Sequence, residues 1–234
     1  MRIMLVAALL LAVAAPVRAP AAMRRPIVIE LFTSQGCSSC PPADALLREL
    51  ARDPAEYLAL GFHVTYWNEL GWRDPFSLPA ATQRQRGYQR ISGVGSVYTP
   101  QMVIDGTADV IGSDRAGVAR ARAAAAAAMR AGPALTVAQE AGQLSIGVGA
   151  GMGQGRLWLV GYDPRRRTAI GRGENAGQVE TEANVVRAID DLGAWTGDAL
   201  ALHVRMPAGA QAAVLLQAPD GAIIGAAVAP LPAR

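Results

Sequence analysis

The chain has 234 residues, 51% of them hydrophobic and 18% charged. That allows one or two domains with a packed core and excludes a disordered chain. Of the 22 basic residues, all arginine, Arg2 and Arg18 lie in the N-terminal segment; the remaining 20 face 19 acidic residues, a balance that excludes a nucleic-acid reader built on a basic patch.

The N-terminus, "MRIMLVAALLLAVAAPVRAPA", has one early arginine, an apolar stretch from Ile3 to Ala15, and small residues after it. The apolar stretch is shorter than the roughly 20 residues a spanning helix needs. It reads as a secretory signal over residues 1–21, with Ala19-Pro20-Ala21 supplying the small-x-small cleavage pattern. An uncleaved membrane anchor is the alternative, disfavoured by the short stretch. The expected location is periplasmic or secreted, where disulfides persist, with no stable membrane insertion after cleavage.

"PIVIELF" (26–32) is a continuous apolar run of the kind a buried parallel strand shows. From Pro41 to Arg52, Ala43, Leu46, Leu47 and Leu50 recur at helical spacing, with proline in the first turn. "YLALGFHVTYW" (57–67) predicts a second strand, completing a right-handed βαβ unit. A loop then leads to a polar helix over 79–91, on which Arg84, Arg86 and Arg90 are expected to form a solvated face. A glycine-rich loop enters a strand at Gln101–Ile104, and Asp105-Gly106 suits a hairpin to "ADVIG". Ser113 or Asp114 should cap a long helix that stops near Gly132-Pro133.

Beyond Pro133 short strand-like runs alternate with glycine, which suggests an antiparallel sandwich. One helix is expected there, around Glu182–Leu192. The expected fold class is α/β, with a first domain over 26–132 and a β-rich, sandwich-like domain over 133–234.

Both cysteines, Cys37 and Cys40, lie in "GCSSCPP" at the predicted start of a helix. A disulfide across three positions closes too small a ring to stabilise by loop closure alone. A helix N-terminus instead lowers a thiol pKa and favours thiolate chemistry. In this setting Cys37 is expected to be the more exposed and to attack, while Cys40 resolves the mixed disulfide. Ser38 and Ser39 are placed to donate hydrogen bonds to a thiolate. Two other uses stay open. Copper(I) carriage would employ the same two sulfurs, since two thiolates leave zinc half-coordinated. An inert pair would make the chain a non-catalytic interaction module.

Sixty residues on, Thr99-Pro100 enters a strand. With the strand, the C-x-x-C at a helix start and the βα continuation, it resembles the thioredoxin-like superfamily. The resemblance implies a cis proline at Pro100 lying against the disulfide, with Thr99 receiving substrate backbone. "ELFTSQGCSSCPPAD", "FHVTYWNELGWRDPF", "RQRGYQR", "VYTPQMVIDG" and "GRGENAG…NVVRA" are in addition similar to the DUF1223 family of secreted thioredoxin-like proteins, whose function is uncharacterised. Where many such proteins carry a buried aspartate, this chain has Thr65, which cannot assist proton transfer.

"YWNELGWRDPF" gathers Tyr66, Trp67, Trp72 and Phe76 at the end of a parallel strand, where α/β proteins place their sites. Trp67 and Trp72 are accordingly candidate substrate-binding residues beside Thr99 and Pro100; a packed loop covering the sheet edge is the competing expectation. His63 and Met102 are read as core residues. Gly171-x-Gly173-x-x-Ala176 fits a dinucleotide fingerprint only loosely and reads as a structured turn. The expected activity is thiol–disulfide exchange with thiol- or disulfide-bearing proteins or small thiols, needing no dissociable cofactor and no metal.

Overall fold

A computed structural model describes residues 25–93 and 95–230. The expected signal segment, 1–21, lies outside the described residues. Among the described residues, no helix is long and apolar enough to cross a membrane.

The first half follows the expected order. Strand β1 (Ile27–Thr33) is buried along its length and leads to helix α1 (Pro41–Leu50), strand β2 (Tyr57–His63) and helix α2 (Pro79–Ser92). Strands β3 (Gln101–Ile104) and β4 (Ala108–Ile111) form a hairpin, with Asp105 and Gly106 both at positive φ in the turn. Helix α3 (Arg115–Ala128) is capped by Asp114, whose carboxylate accepts the Gly117 N–H at 3.0 Å. It ends at Ala128, four residues before Gly132, since Met129 already leaves the helical conformation with ψ 117°; Gly132 itself runs against the Ile224 carbonyl, where a Cβ would lie 1.8 Å from the oxygen.

The second half is all strand: β5 (Leu135–Glu140), β6 (Gln143–Val148), β7 (Gly155–Ala169), β8 (Val179–Trp195), β9 (Leu200–Arg205), β10 (Gln211–Gln217) and β11 (Ile223–Val228). Residues 182–192 are therefore strand and not the expected helix. Two bulges, at Leu192 opposite Leu157/Trp158 and at Arg187 opposite Gly161/Tyr162, and a left-handed Asn184, disturb the alternation along β8. Its apolar residues consequently recur at spacings that imitate a helix. Strand β2 also stops earlier than expected, at His63, since the chain after Val64 folds into turns, with the Asn68 N–H bonded to the Thr65 carbonyl.

Eight strands form one sheet in the order β11-β10-β7-β8-β2-β1-β3-β4, and β5-β6-β9 form a second. The large sheet crosses residue 132: β8 lies parallel to β2, registered at Gly61 and Val185. One core, including Val28, Phe32, Leu60 and Phe62, shares its side chains with Val160, Val186, Ala213 and Leu215 from the second half. The opposite face of β1 and β2 packs under α1 and α3. The small sheet closes a third core against β7 and β10, giving the β-rich half its sandwich.

Arg84 departs from the expected solvated face. It is buried and forks onto the carboxylate of Glu30 in the middle of β1, with Tyr88 donating to the same carboxylate at 2.6 Å. A lone glutamate inside "IVIELF" needs such a partner, because an unpaired buried charge is far too costly. Arg86 and Arg90 are exposed as expected.

Candidate functional site

The end of β1 and the start of α1 position the two cysteines. After Thr33 the backbone turns, with the Cys37 N–H bonded to the Ser34 carbonyl and the Cys40 N–H to the Cys37 carbonyl. Cys40 is the N-cap of α1, followed by Pro41 and Pro42 where no backbone donor is needed. The sulfurs are joined as a disulfide with Cα atoms 5.4 Å apart. Ser39 Oγ lies 3.3 Å from Cys37 Sγ. Both cysteines are 0% exposed, which corrects the expectation of an exposed Cys37; Ser38 and Ser39 between them do face solvent.

The other expected site residues gather round this turn. Thr99-Pro100 is a cis peptide. A Cβ on Gly112 would touch both Ala43 of α1, at 3.1 Å, and Pro100, at 3.4 Å, so the proline lies beside the first turn of α1. Trp67 Nε1 donates to Thr99 Oγ1 at 2.7 Å. The Trp67 Cβ is 3.5 Å from where a Cβ of Gly36 would be, so this tryptophan bridges the cysteine turn and the cis-proline loop. Trp72 Nε1 donates to Gln35 Oε1 at 3.1 Å. Met102 packs in the core beneath α1, as expected. Thr65 bonds Thr82, with the two hydroxyls 3.0 Å apart.

A buried polar cluster, invisible as a motif, lies under the same turn. His63 Nδ1 is 2.7 Å from Asp74 and its Nε2 is 3.4 Å from Glu182. Burial alone would lower the His63 pKa, but Asp74 and Glu182 outweigh it and push it up to about 10. This core histidine is thus a cation held between carboxylates. Gln35 joins the cluster through both of its ends, its backbone N–H to Asp74 at 2.9 Å and its amide to Glu182 at 2.8 Å.

Asp44 stands one helical turn past Cys40, its N–H bonded to the Cys40 carbonyl at 3.1 Å. Residues four apart share a helix face. Burial, reinforced by Glu182 and Glu180, pushes the Asp44 carboxyl up to about 8, against the pull of His63 and of Thr33, whose hydroxyl donates to it at 3.1 Å. Glu180, raised to about 7 by burial and by Glu182, lines with Asp44, Arg48 and Pro41 a cavity of about 250 Å³. Asp44 is legible only as the fourth residue after Cys40; the β8 carboxylates give no local signal, since their strand comes from the far half of the chain. Among the described residues, no group of three or more histidine, cysteine, aspartate or glutamate side chains is arranged to hold a metal ion.

The turn joining β7 to β8, residues 170–178, lies on top of the cysteines. Asn175, buried in an otherwise exposed loop, donates to the carbonyls of Gln35 and Cys37 at 3.0 Å each. Glu174 accepts the Ser38 N–H at 3.1 Å. Gly173 packs on Trp72 and Gly71. The loose Gly171–Ala176 fingerprint is thus a structured turn that joins the two halves over the disulfide.

A family model described as "Protein of unknown function (DUF1223)" matches residues 28–217. The chain belongs to the DUF1223 family. The Cys37–Cys40 turn, Thr99-Pro100 and the Asn175 loop all fall inside the matched span. A crystal structure of an Agrobacterium tumefaciens protein is 30% identical, with a TM-score of 0.75, over 88% of this DUF1223 chain and 95% of that one. HBP35 of Porphyromonas gingivalis shares the fold at 14% identity and a TM-score of 0.58, over 91% and 79% of the two chains. No curated protein sequence matches the chain.

Proposed function

We propose that the protein is an extracytoplasmic thiol–disulfide oxidoreductase of thioredoxin-like build, which exchanges its Cys37–Cys40 bond with thiols or disulfides of its partners. The observation that carries this is the bonded pair at the N-terminus of α1, beside a cis Thr99-Pro100 and bridged to it by Trp67. The apolar N-terminal stretch supports export to a compartment where such a bond persists.

In the reductive direction a partner thiolate attacks Cys37 Sγ. A partner–Cys37 disulfide forms, the Cys37–Cys40 bond breaks, and Cys40 leaves as the thiolate. The neutral Asp44 carboxyl, on the same helix face, delivers its proton to that sulfur. A second partner thiol attacks the partner sulfur of the mixed disulfide, forming the partner disulfide and releasing Cys37. Two electrons and two protons pass from partner thiols to the pair. The oxidative direction runs the same steps backwards, with ionised Asp44 taking the Cys40 proton. A pKa near neutrality suits a group that must serve both ways. Asp44 therefore fills the proton-transfer role that Thr65 cannot.

The test is equilibration of the folded protein in glutathione redox buffers, with the free thiols counted after acid quenching. A reversible two-electron transition at native structure is expected. A bond that opens only when the protein unfolds would make the pair a staple and end the proposal.

A further inference from the structure

The 171–178 loop satisfies, with side chains, three main-chain groups of the cysteine turn. The Asn175 carboxamide nitrogen donates its two protons to the Gln35 and Cys37 carbonyls, acceptors that successive main-chain N–H groups of a partner could otherwise fill. The Glu174 carboxylate accepts from the Ser38 N–H, as a main-chain carbonyl would. These acceptors and this donor sit at the mouth of the disulfide, and with the loop in place Cys37 is 0% exposed.

The loop tip is held there by the Asn175 and Glu174 bonds and by Gly173 against Trp72. Of residues 171–178 only Asn175 is buried. Gly173 and Gly177 carry positive φ and no side chain to anchor them. The base is fixed, with the Ile170 N–H bonded to the Gln178 carbonyl and the Gly177 N–H to the Ile170 carbonyl, so the tip can lift while its base stays in place.

Resting on the exchange activity proposed above, we infer that this loop stands in for the partner: Asn175 occupies a seat made for the backbone of an extended polypeptide that carries the reacting cysteine. The loop vacates the seat when such a segment arrives. The substrate class is therefore a protein segment in extended form, and a non-peptide thiol gains nothing from the seat. Peptide-like donors and acceptors favour such a segment because main-chain hydrogen bonds supply affinity independent of its side chains.

The experiment compares reduction of the oxidised protein by 2-mercaptoethanol and by an extended cysteinyl peptide, for wild type, Asn175→Ala and Glu174→Gln. Emptying the seat removes two hydrogen bonds that hold the loop closed, so Asn175→Ala should speed reduction by the peptide about tenfold. Reduction by 2-mercaptoethanol, which also needs Cys37 uncovered, should rise by a similar factor, while at equal thiolate concentration the peptide stays the faster reductant in every protein. Glu174→Gln, at an exposed position that does not threaten folding, should speed both thiols by a smaller factor. Unchanged rates in both variants, or a peptide no faster than 2-mercaptoethanol at equal thiolate concentration, would overturn the inference while leaving exchange at Cys37 intact. A native protein inert to both thiols in every variant would instead remove the proposed exchange on which the inference rests.

Discussion

In the proposed exchange, Asp44 couples the cysteine pair to pH. Its carboxyl is raised from the ordinary 3.8 to about 8, so the folded chain holds a proton that the unfolded chain releases. The favourable contribution is complete below the unfolded value and is lost as pH rises through the folded one. Asp44→Asn should therefore flatten the fall in thermal stability between those two values, by on the order of a few kcal/mol at the upper end. His63 acts in the same direction over a higher window, from 6.5 to about 10, so thermal unfolding across pH separates the two. The same Asp44→Asn variant should slow thiol exchange about a hundredfold, the usual worth of a positioned proton donor. A variant with the wild-type stability profile and wild-type exchange rate would show that Asp44 plays neither part. Arg84 is a purely structural case. Arg84→Met strands the Glu30 carboxylate inside the sheet and should destabilise the protein by about 3–5 kcal/mol in urea unfolding.

Among the elements, those built from local signals were readable in the sequence. β1, α1, the 105–106 hairpin and the cap of α3 each announce themselves through a run, a spacing or a turn residue, and the structure places them where those signals lie. The place of the cysteine turn at a helix start was legible for the same reason, while Thr99-Pro100 was singled out by the resemblance to thioredoxin-like proteins. β8 was not, because its bulges at Arg187 and Leu192, fixed by pairing with β7, break the two-residue alternation. Arg84 was misjudged because its partner lies 54 residues away, and Cys37 because its cover comes from a loop 138 residues on. The contact of β8 with β2 depends on a residue without a side chain. A Cβ on Gly61 would stand 3.4 Å from both the Ala183 carbonyl and the Leu47 side chain. Gly61→Val should push these strands apart and cost about 1–3 kcal/mol. Chemical denaturation checks it, and a variant as stable as wild type would mean that β8 accommodates the larger residue freely.

At the scale of the whole molecule, the two halves share one sheet, one of their cores and the candidate site. The cysteines and Asp44 come from the first half, while Glu182, Glu180 and Asn175 come from the second. A fragment ending at Gly132 would expose the β2 edge and the Phe32–Phe62 core face now covered by β7, β8 and β10. It is expected to show no cooperative thermal transition, whereas a sharp one would mean that the first half is stable without its cover. Exchange at the Cys37–Cys40 pair is the activity proposed for the assembled site. Its most direct measurement is trapping in cells with Cys40→Ser, which leaves Cys37 unable to be resolved. Mixed disulfides with partner proteins, formed through Cys37, released by reductant and lost when Cys37 is also replaced by serine, are the predicted result. A correctly folded Cys40→Ser protein that gathers no mixed disulfide would contradict exchange at this pair.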